Sequence, residues 1–227
     1  MTGLACLIPA YNEGARIGAV LRVAVSHPDI TEVIVVDDGS RDDTAAVVAE
    51  VAGRHPQLRL IRQPNRGKSA ALATALRATD APVVMFLDAD LEGLDTEALE
   101  SLIAPVRDGR AQVAISLRAN APRLWQAIGL DYISGERVVR RALIAPPEAL
   151  ERLTRFGVEV DMNARLVAAG ARIAVVPWPG VKSPWKKDKY GLWQGLRADF
   201  GMIRDILRTI PAPRLARQIA RMRAHRV

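Results

Sequence analysis

Three features of this 227-residue chain predict an α/β protein, with a mostly parallel sheet flanked by helices on both faces. Short apolar runs alternate with helix-period segments four times before residue 92. The runs are apolar at successive positions, as strands buried on both faces must be. Three of these segments lead into polar or acidic residues at Pro9–Glu13, Asp37–Ser40 and Asp88–Asp90. In an open parallel sheet, ligands sit beyond the carboxyl ends of the strands.

The elements follow in order. LACLIPA, closed by Pro9, reads as the first strand. EGARIGAVLRVAVSH carries Ile17, Val20, Leu21, Ala24 and Val25 at the spacing of a helix with one buried face. EVIVVDD is the second strand and Gly39 turns the chain. Asp42 or Asp43 then caps a helix through TAAVVAEVAG, which Gly53 and Pro56 end. LRLIRQ is the third strand, GKSAALATALRAT the third helix, and VVMFLDAD the fourth strand, running through its acids. A helix capped by Asp95 or Thr96 reaches about Val106, and AQVAISL reads as a strand. Residues 118 to 157 read as loops around DYISGERVVRR. VEVDMNARLVAAG is a helix ended by Gly170, and ARIAVVP a last strand. The spacing predicts a helix in FGMIRDILRTI with Phe200, Ile203, Leu207 and Ile210 on one face. A second, basic amphipathic helix follows in RLARQIARMRAHR, its stripe formed by Leu215, Ile219 and Met222.

No linker divides the chain. The expected organisation is one domain over 1–195, in halves 1–92 and 93–195, with a helical basic tail over 196–227. The net charge of +7 is uneven: Lys182 to Val227 holds 12 basic and 3 acidic residues, leaving a nearly neutral body. That tail suits peripheral contact with an anionic membrane, packing on the domain, or a homodimer interface. No nucleic-acid motif accompanies it, so no nucleic-acid partner is expected. Cys6, the single cysteine, excludes an intrachain disulfide and a Cys-rich zinc site, and reads as a small core residue. No secretory leader is recognisable before Glu13, and no apolar stretch reaches the roughly 18 to 20 residues of a spanning helix. The expected location is cytoplasmic, with peripheral attachment to the inner face of the membrane as an option.

The chemistry lies at the strand ends. Asp88 and Asp90 are two residues apart and share a face if the strand persists. Paired carboxylates suit Mg²⁺ or Mn²⁺, which takes further oxygens from water and substrate phosphates; a solvated acidic turn is the plain alternative. In NRGKSAAL, Gly67 permits close backbone approach, Lys68 adds a positive charge, and a helix N-terminus follows, a combination suited to an anion. It lacks the spacing of a P-loop. Asp37 is placed to accept hydrogen bonds from a base or ribose. In IPAYNEG, Tyr11 can stack on a ring and Glu13 can cap or accept from hydroxyls. No G-x-G-x-x-G follows the first strand, which argues against a dinucleotide-dependent dehydrogenase.

In order and spacing, IPAYNEG, VVDDGSRDDT, NRGKSAAL and FLDADL resemble the nucleotide-sugar half of family 2 glycosyltransferases, which have the GT-A fold. The resemblance implies a UDP- or GDP-sugar donor held by Pro9, Ala10, Tyr11, Glu13, Asp37, Asp38, Lys68, Asp88 and Ala89. It makes Asp88-Ala89-Asp90 a DXD motif, with Asp88 and Asp90 as metal ligands. SGERVVRRAL, RFGVEVDMNARLVAAG and VKSPWKKDKYGLWQG look like parts of the dolichyl-phosphate mannose synthase and glucosyl-3-phosphoglycerate synthase branches. That likeness places Glu136 at the donor sugar, Glu159 and Asp161 near a phosphorylated acceptor such as a polyprenyl phosphate, and Lys182 at the diphosphate. As first-turn acids, Glu159 and Asp161 also have a purely structural reading.

Two departures stand out. Relatives often carry an adjacent Glu-Asp pair, where this chain has Glu159-Val160-Asp161. They often supply a metal-binding His after the last core strand, where this chain has Ser183 and Pro184. His27, His55 and His225 lie elsewhere and are expected at the surface. The basic and aromatic residues of KSPWKKDKYGLWQG are expected to form a lid over phosphate and sugar.

Overall fold

The structure is a computed structural model that describes residues 3–154, 156–183, 204 and 206–227. Its centre is a seven-stranded sheet built from β1 (Leu4–Ala10), β2 (Ile30–Asp37), β3 (Leu58–Arg62), β4 (Val83–Phe86), β5 (Val113–Arg118), β6 (Arg137–Arg140) and β7 (Ile173–Trp178). The spatial order is β3-β2-β1-β4-β6-β5-β7. β6 is antiparallel to both neighbours, and every other pairing is parallel.

The continuous apolar strands do what their pattern requires. Leu4, Cys6 and Ile8 point into one core while Ala5 and Leu7 point into the other, and Val33/Val35 and Ile34/Val36 divide the same way. The first core is closed by α1 (Gly14–Ser26), α2 (Thr44–Ala52) and α4 (Thr96–Arg107). The second is closed by α3 (Lys68–Arg77), α5 (Arg123–Ile128), α6 (Pro147–Leu150), α7 (Gly157–Ala168) and α8 (Ala212–Ala224). The helix caps follow local chemistry. Asp42, rather than Asp43, accepts from the Thr44 N–H, and Asp95 accepts from the Ala98 N–H at 2.7 Å.

Four expectations need correction. β4 ends at Phe86. Leu87 still donates to Leu7 O at 3.1 Å, but the chain then turns, so Asp88 and Asp90 lie on a loop and strand alternation does not set their directions. Within the stretch read as loops, RVVR forms β6, and its antiparallel insertion between β4 and β5 has only four residues to announce it. His27 is buried, its Nε2 3.3 Å from Glu100 Oε2, because it ends α1 against α4. Leu207 is 42% exposed while Ile206 and Ile210 enter the core. Phe200 and Ile203 lie outside the described residues, as do Pro184 and the expected lid beyond Ser183.

The tail returns to the domain. Leu215, Ile219 and Met222 pack on the second core beside α7, and Val227 donates to Ile173 O at 3.1 Å at the start of β7. Among the described residues no helix is long and apolar enough to cross a membrane.

Candidate active site

From β1 the chain runs outward to β2 and β3 on one side, while β4 lies on the other. The strand order therefore reverses between β1 and β4, where an open α/β sheet leaves a crevice. A cleft of about 220 Å³ lies there. It is lined by Pro9, Ala10, Tyr11 and Glu13 after β1, Asp38 after β2, Lys68 and Ala71 of α3, and Asp88, Ala89 and Asp90 after β4. Of the expected nucleotide-sugar residues, only Asp37 and Lys182 are absent from this lining.

The near wall is built by two loops tied together. Asn12, at φ 56°, receives a bond from Arg41 N at 2.8 Å and donates its own N–H to Ser40 Oγ at 2.9 Å. Glu13 N donates to Thr44 Oγ1 at 2.8 Å. This leaves the Tyr11 ring 44% exposed at the rim. Asp37, at the end of β2, is fully buried. Its Oδ1 accepts from Ser40 N at 3.0 Å, while Oδ2 has Arg62 Nε at 3.4 Å and no hydrogen bond. A buried carboxylate oxygen without a hydrogen bond is costly, and here the Arg62 ion pair is what offsets it.

Asp38, which lines the cleft, also holds the neighbouring loop. Its carboxylate accepts from Gln63 Nε2 at 2.7 Å, Arg66 N at 2.9 Å and Gly67 N at 2.7 Å. It thereby fixes the loop that opens α3. Gly39 approaches so closely that a Cβ there would lie 2.8 Å from Asn65 N. The loop delivers Lys68, whose Nζ lies 2.7 Å from Asp88 Oδ1 and 3.8 Å from Glu159 Oε1. Gly135 backs this contact: a Cβ would come within 3.0 Å of Asp88 and of Lys68 Nζ.

The electrostatics follow from this crowding. Burial works against the charge on Lys68, but the Asp88 and Glu159 carboxylates outweigh it and hold the ammonium above its usual range. Burial likewise opposes charge on Asp88, and Lys68 overcomes it, so that carboxyl sits below its ordinary value. Asp90 lacks such a partner. Burial and then the charges of Asp88, Glu13 and Glu136 push it up to about 6. Burial also raises Glu159, whose Oε2 is enclosed without a hydrogen bond.

Behind Asp88, the expected Glu136 sits in a network whose other members the sequence does not single out. Glu136 is fully buried. Its Oε2 accepts from Ser116 Oγ and Ser134 Oγ, each at 2.9 Å, and Oε1 lies 3.3 Å from Arg118 Nη1. Arg118 also bonds Ser183 Oγ and lies 3.6 Å from the buried Asp131. Its one sequence signal is a charge at the end of the apolar run AQVAISLR, at the same sheet edge as the other site residues. Arg137 is buried too, bonding Ser134 O, Asn163 Oδ1 and Tyr132 O, and so locks the 131–136 loop to α7.

Two expected residues stand apart. Asp161 is turned away from Glu159 and pairs with Arg165 at 2.8 Å, since positions two apart on a helix face different ways. Lys182 is exposed. Its backbone bridges Glu92, with bonds of 2.8 and 3.0 Å, which holds the chain after β7 against the Asp88–Asp90 loop.

The donor set suits a hard divalent cation. Asp88 and Asp90 supply carboxylate oxygens, and the mutual repulsion that raises Asp90 is what a bound cation relieves. Among the described residues, the one group of three converging protein ligands lies elsewhere, at His27, Asp29 and Glu100. Arg107 already fills it, with bonds of 2.7 Å to both Asp29 and Glu100. A two-carboxylate site in the cleft is the arrangement for an ion completed by substrate oxygens.

Residues 5–153 match the model of glycosyl transferase family 2. The chain belongs to that family. Among curated family relatives, a dolichyl-phosphate beta-glucosyltransferase of Trichomonas vaginalis is 42% identical over 150 residues, covering 56% of this chain and 44% of that protein. A succinoglycan biosynthesis protein of Rhizobium meliloti is 29% identical over 206 residues, 77% of this chain and 60% of its own length. The chain thus spans 44% and 60% of these two relatives. Its fold is GT-A. Glucosyl-3-phosphoglycerate synthase of Mycobacterium tuberculosis superposes with a TM-score of 0.68 at 25% identity, over 91% of this chain and 79% of that one. The same enzyme in complex with Mn²⁺ and UDP-glucose gives a TM-score of 0.66, also at 25% identity, over 92% of this chain and 77% of that one.

Proposed function

We propose that the protein transfers a sugar from a nucleoside diphosphate sugar to a phosphorylated acceptor, most specifically a polyprenyl phosphate, with Mg²⁺ or Mn²⁺ at the DXD carboxylates Asp88 and Asp90. The carrying observation is the convergence of Lys68, Asp88 and Asp90 in the cleft at the β1/β4 reversal. Asp37 and Tyr11 receive the nucleoside, one by hydrogen bonding and the other by stacking. When bound, the divalent cation neutralises the charge that builds on the departing diphosphate. Lys68, on Asp88 at 2.7 Å, would add a fixed positive charge to the same diphosphate. Its ammonium is pre-positioned by Asp38 and the Gly67 turn, so little reorganisation accompanies reaction.

Glu136, held rigid by two serines and Arg118, backs Asp88 and faces the donor sugar. Glu159 stands over the same lysine. A phosphate acceptor is already anionic and needs no base, which fits a site where Asp161 is committed to Arg165. The names of a dolichyl-phosphate relative and of a structural neighbour complexed with phosphoglyceric acid support a phosphorylated acceptor. With a lipid-linked acceptor, peripheral contact of the basic tail with the inner face of the membrane is part of the same reading.

The test is incubation with UDP- and GDP-sugars, Mn²⁺, and either a polyprenyl phosphate or phosphoglycerate. Nucleoside diphosphate release coupled to a glycosylated acceptor is expected. The second reading is a nucleotide-sugar-binding protein with little turnover, favoured by the separation of Glu159 from Asp161. Tight donor binding without transfer to any acceptor would select it.

A further inference from the structure

Packing the tail onto the domain changes what it offers a membrane. The apolar stripe of Leu215, Ile219 and Met222 is spent on the second core, so it is not available to dip into lipid. What remains outward is a row of arginines. Arg214, Arg217 and Arg221 stand at i, i+3 and i+7 on one edge of α8. With Gln218 they line a groove of about 290 Å³ whose other wall is Ala164, Val167 and Ala168 of α7.

Every polar side chain in that groove is a donor. Gln218 has its carbonyl oxygen taken by the Tyr132 hydroxyl at 2.6 Å, which leaves its NH₂. Among the described residues Arg217 spends only Nε, on Pro213 O. Asp161, one turn before Ala164, is held by Arg165. Residues 206–227 hold six arginines and no acid. Among the described residues no carboxylate pairs with Arg214, Arg217 or Arg221. Such a concave set of guanidiniums over small apolar residues is complementary to a phosphodiester, which takes two N–H donors from one fork.

We propose that the groove between α7 and α8 seats the phosphodiester headgroups of an anionic bilayer, through Arg214, Arg217 and Arg221 and without insertion of the helix. This rests on the reading of peripheral membrane contact and gives it a place. The positive charge extends beyond the groove to the exposed Arg223 and Arg226. That extended surface favours a sheet of headgroups over one soluble phosphate. The groove also shares α7 with Glu159, which lies five residues before Ala164, or about 7.5 Å along the helix axis. A docked headgroup layer would therefore run beside the helix that reaches the cleft.

The test is co-sedimentation of the full chain with vesicles of phosphatidylcholine alone or mixed with phosphatidylglycerol. Binding to the mixed vesicles only, weakened by salt, is expected. Each groove arginine changed to glutamine should lower partitioning about fivefold, and the triple variant R214Q/R217Q/R221Q about a hundredfold. R223Q, on another side of α8, serves as the comparison and should lose less than any groove variant. A phosphatidylglycerol monolayer should show no rise in surface pressure.

If the wild type binds and the triple variant binds equally, the groove is wrong while membrane contact survives. If the wild type binds neither vesicle, both fall. Equal competition by millimolar glycerol phosphate would assign the groove to a soluble anion, and a pressure rise would mean insertion; either overturns the proposal. The vesicle assay needs neither donor nor acceptor, so it is independent of transferase activity.

Discussion

Lys68 Nζ lies 2.7 Å from Asp88 Oδ1, so one ammonium holds an oxygen that the proposed metal would share. Its second carboxylate, Glu159, is 3.8 Å away and offers the lysine another position. Lys68→Met should therefore have two opposite effects. Donor turnover should fall at least about a hundredfold, because a fixed charge at the diphosphate is lost. Mn²⁺ affinity of the donor-free protein should rise, because Asp88 loses its competitor. Calorimetric titration with Mn²⁺ alone checks the second effect, and weaker Mn²⁺ binding would contradict it.

Gly135→Ala separates the cleft from the fold. Gly135 has no positive φ, so its backbone tolerates alanine, yet the new methyl would lie 2.9 to 3.0 Å from Asp88 and 3.0 Å from Lys68 Nζ. Asp88 and Lys68 must move apart or aside. The expectation is a Tm within a few degrees of wild type with donor affinity reduced about tenfold or more. Unchanged donor affinity would mean that the Lys68–Asp88 geometry does not matter to binding.

The cleft residues after β1, β2 and β4 were legible in the sequence because each piece is local. A strand end, a turn glycine and one or two acids occur within ten residues, as in VVDDGSRDDT. The rest of the site is assembled over long sequence distances. Arg118 meets Ser183 and Asp131, and Arg137 meets Asn163, with no pattern in any one segment to report it. β6 escaped notice for a related reason: four residues with a buried arginine carry almost no periodicity. Asp38 lines the cleft, but its bonds to the Gly67 loop depend on a fold that brings positions 38 and 67 together.

Arg137 should behave as a clamp. Its guanidinium serves two carbonyls and Asn163 in a fully enclosed space. Arg137→Leu keeps the volume but strands those acceptors, at roughly 1 to 3 kcal/mol for each unsatisfied group. Chemical denaturation should show a loss of about 3 kcal/mol or more. The same change at the exposed Arg123 should move stability by less than about 0.5 kcal/mol.

Asp37→Ala tests the unsatisfied oxygen directly. Removing this buried carboxylate removes its desolvation cost and the partly exposed Arg62 ion pair from the free protein, together with the proposed partner for the nucleoside. The fold should lose little, as the loss of the Ser40 bond is set against relief of the buried charge. Donor affinity should fall about tenfold to a hundredfold, since a hydrogen bond to a charged group contributes about 1.5 to 3 kcal/mol. Thermal shift with and without a UDP-sugar reads both quantities. An undiminished ligand-induced shift would remove Asp37 from the binding site.

Asp131 gives the fold a pH signature. Burial pushes its carboxyl up to about 6, only partly offset by Arg118 at 3.6 Å. In the unfolded chain the same group titrates near 3.9. Between those values the native state holds the extra proton, so stability declines as pH rises from about 4 to 6 and stays lowered above that. Asp131→Asn keeps an acceptor for the Ile133 N–H and abolishes the titration. The variant should be more stable than wild type above pH 6, by up to about 3 kcal/mol, and the difference should shrink to near zero below pH 4. Urea unfolding of both proteins across that range checks the sign. A variant less stable at pH 7.5 would show that Arg118 needs the Asp131 charge more than burial penalises it.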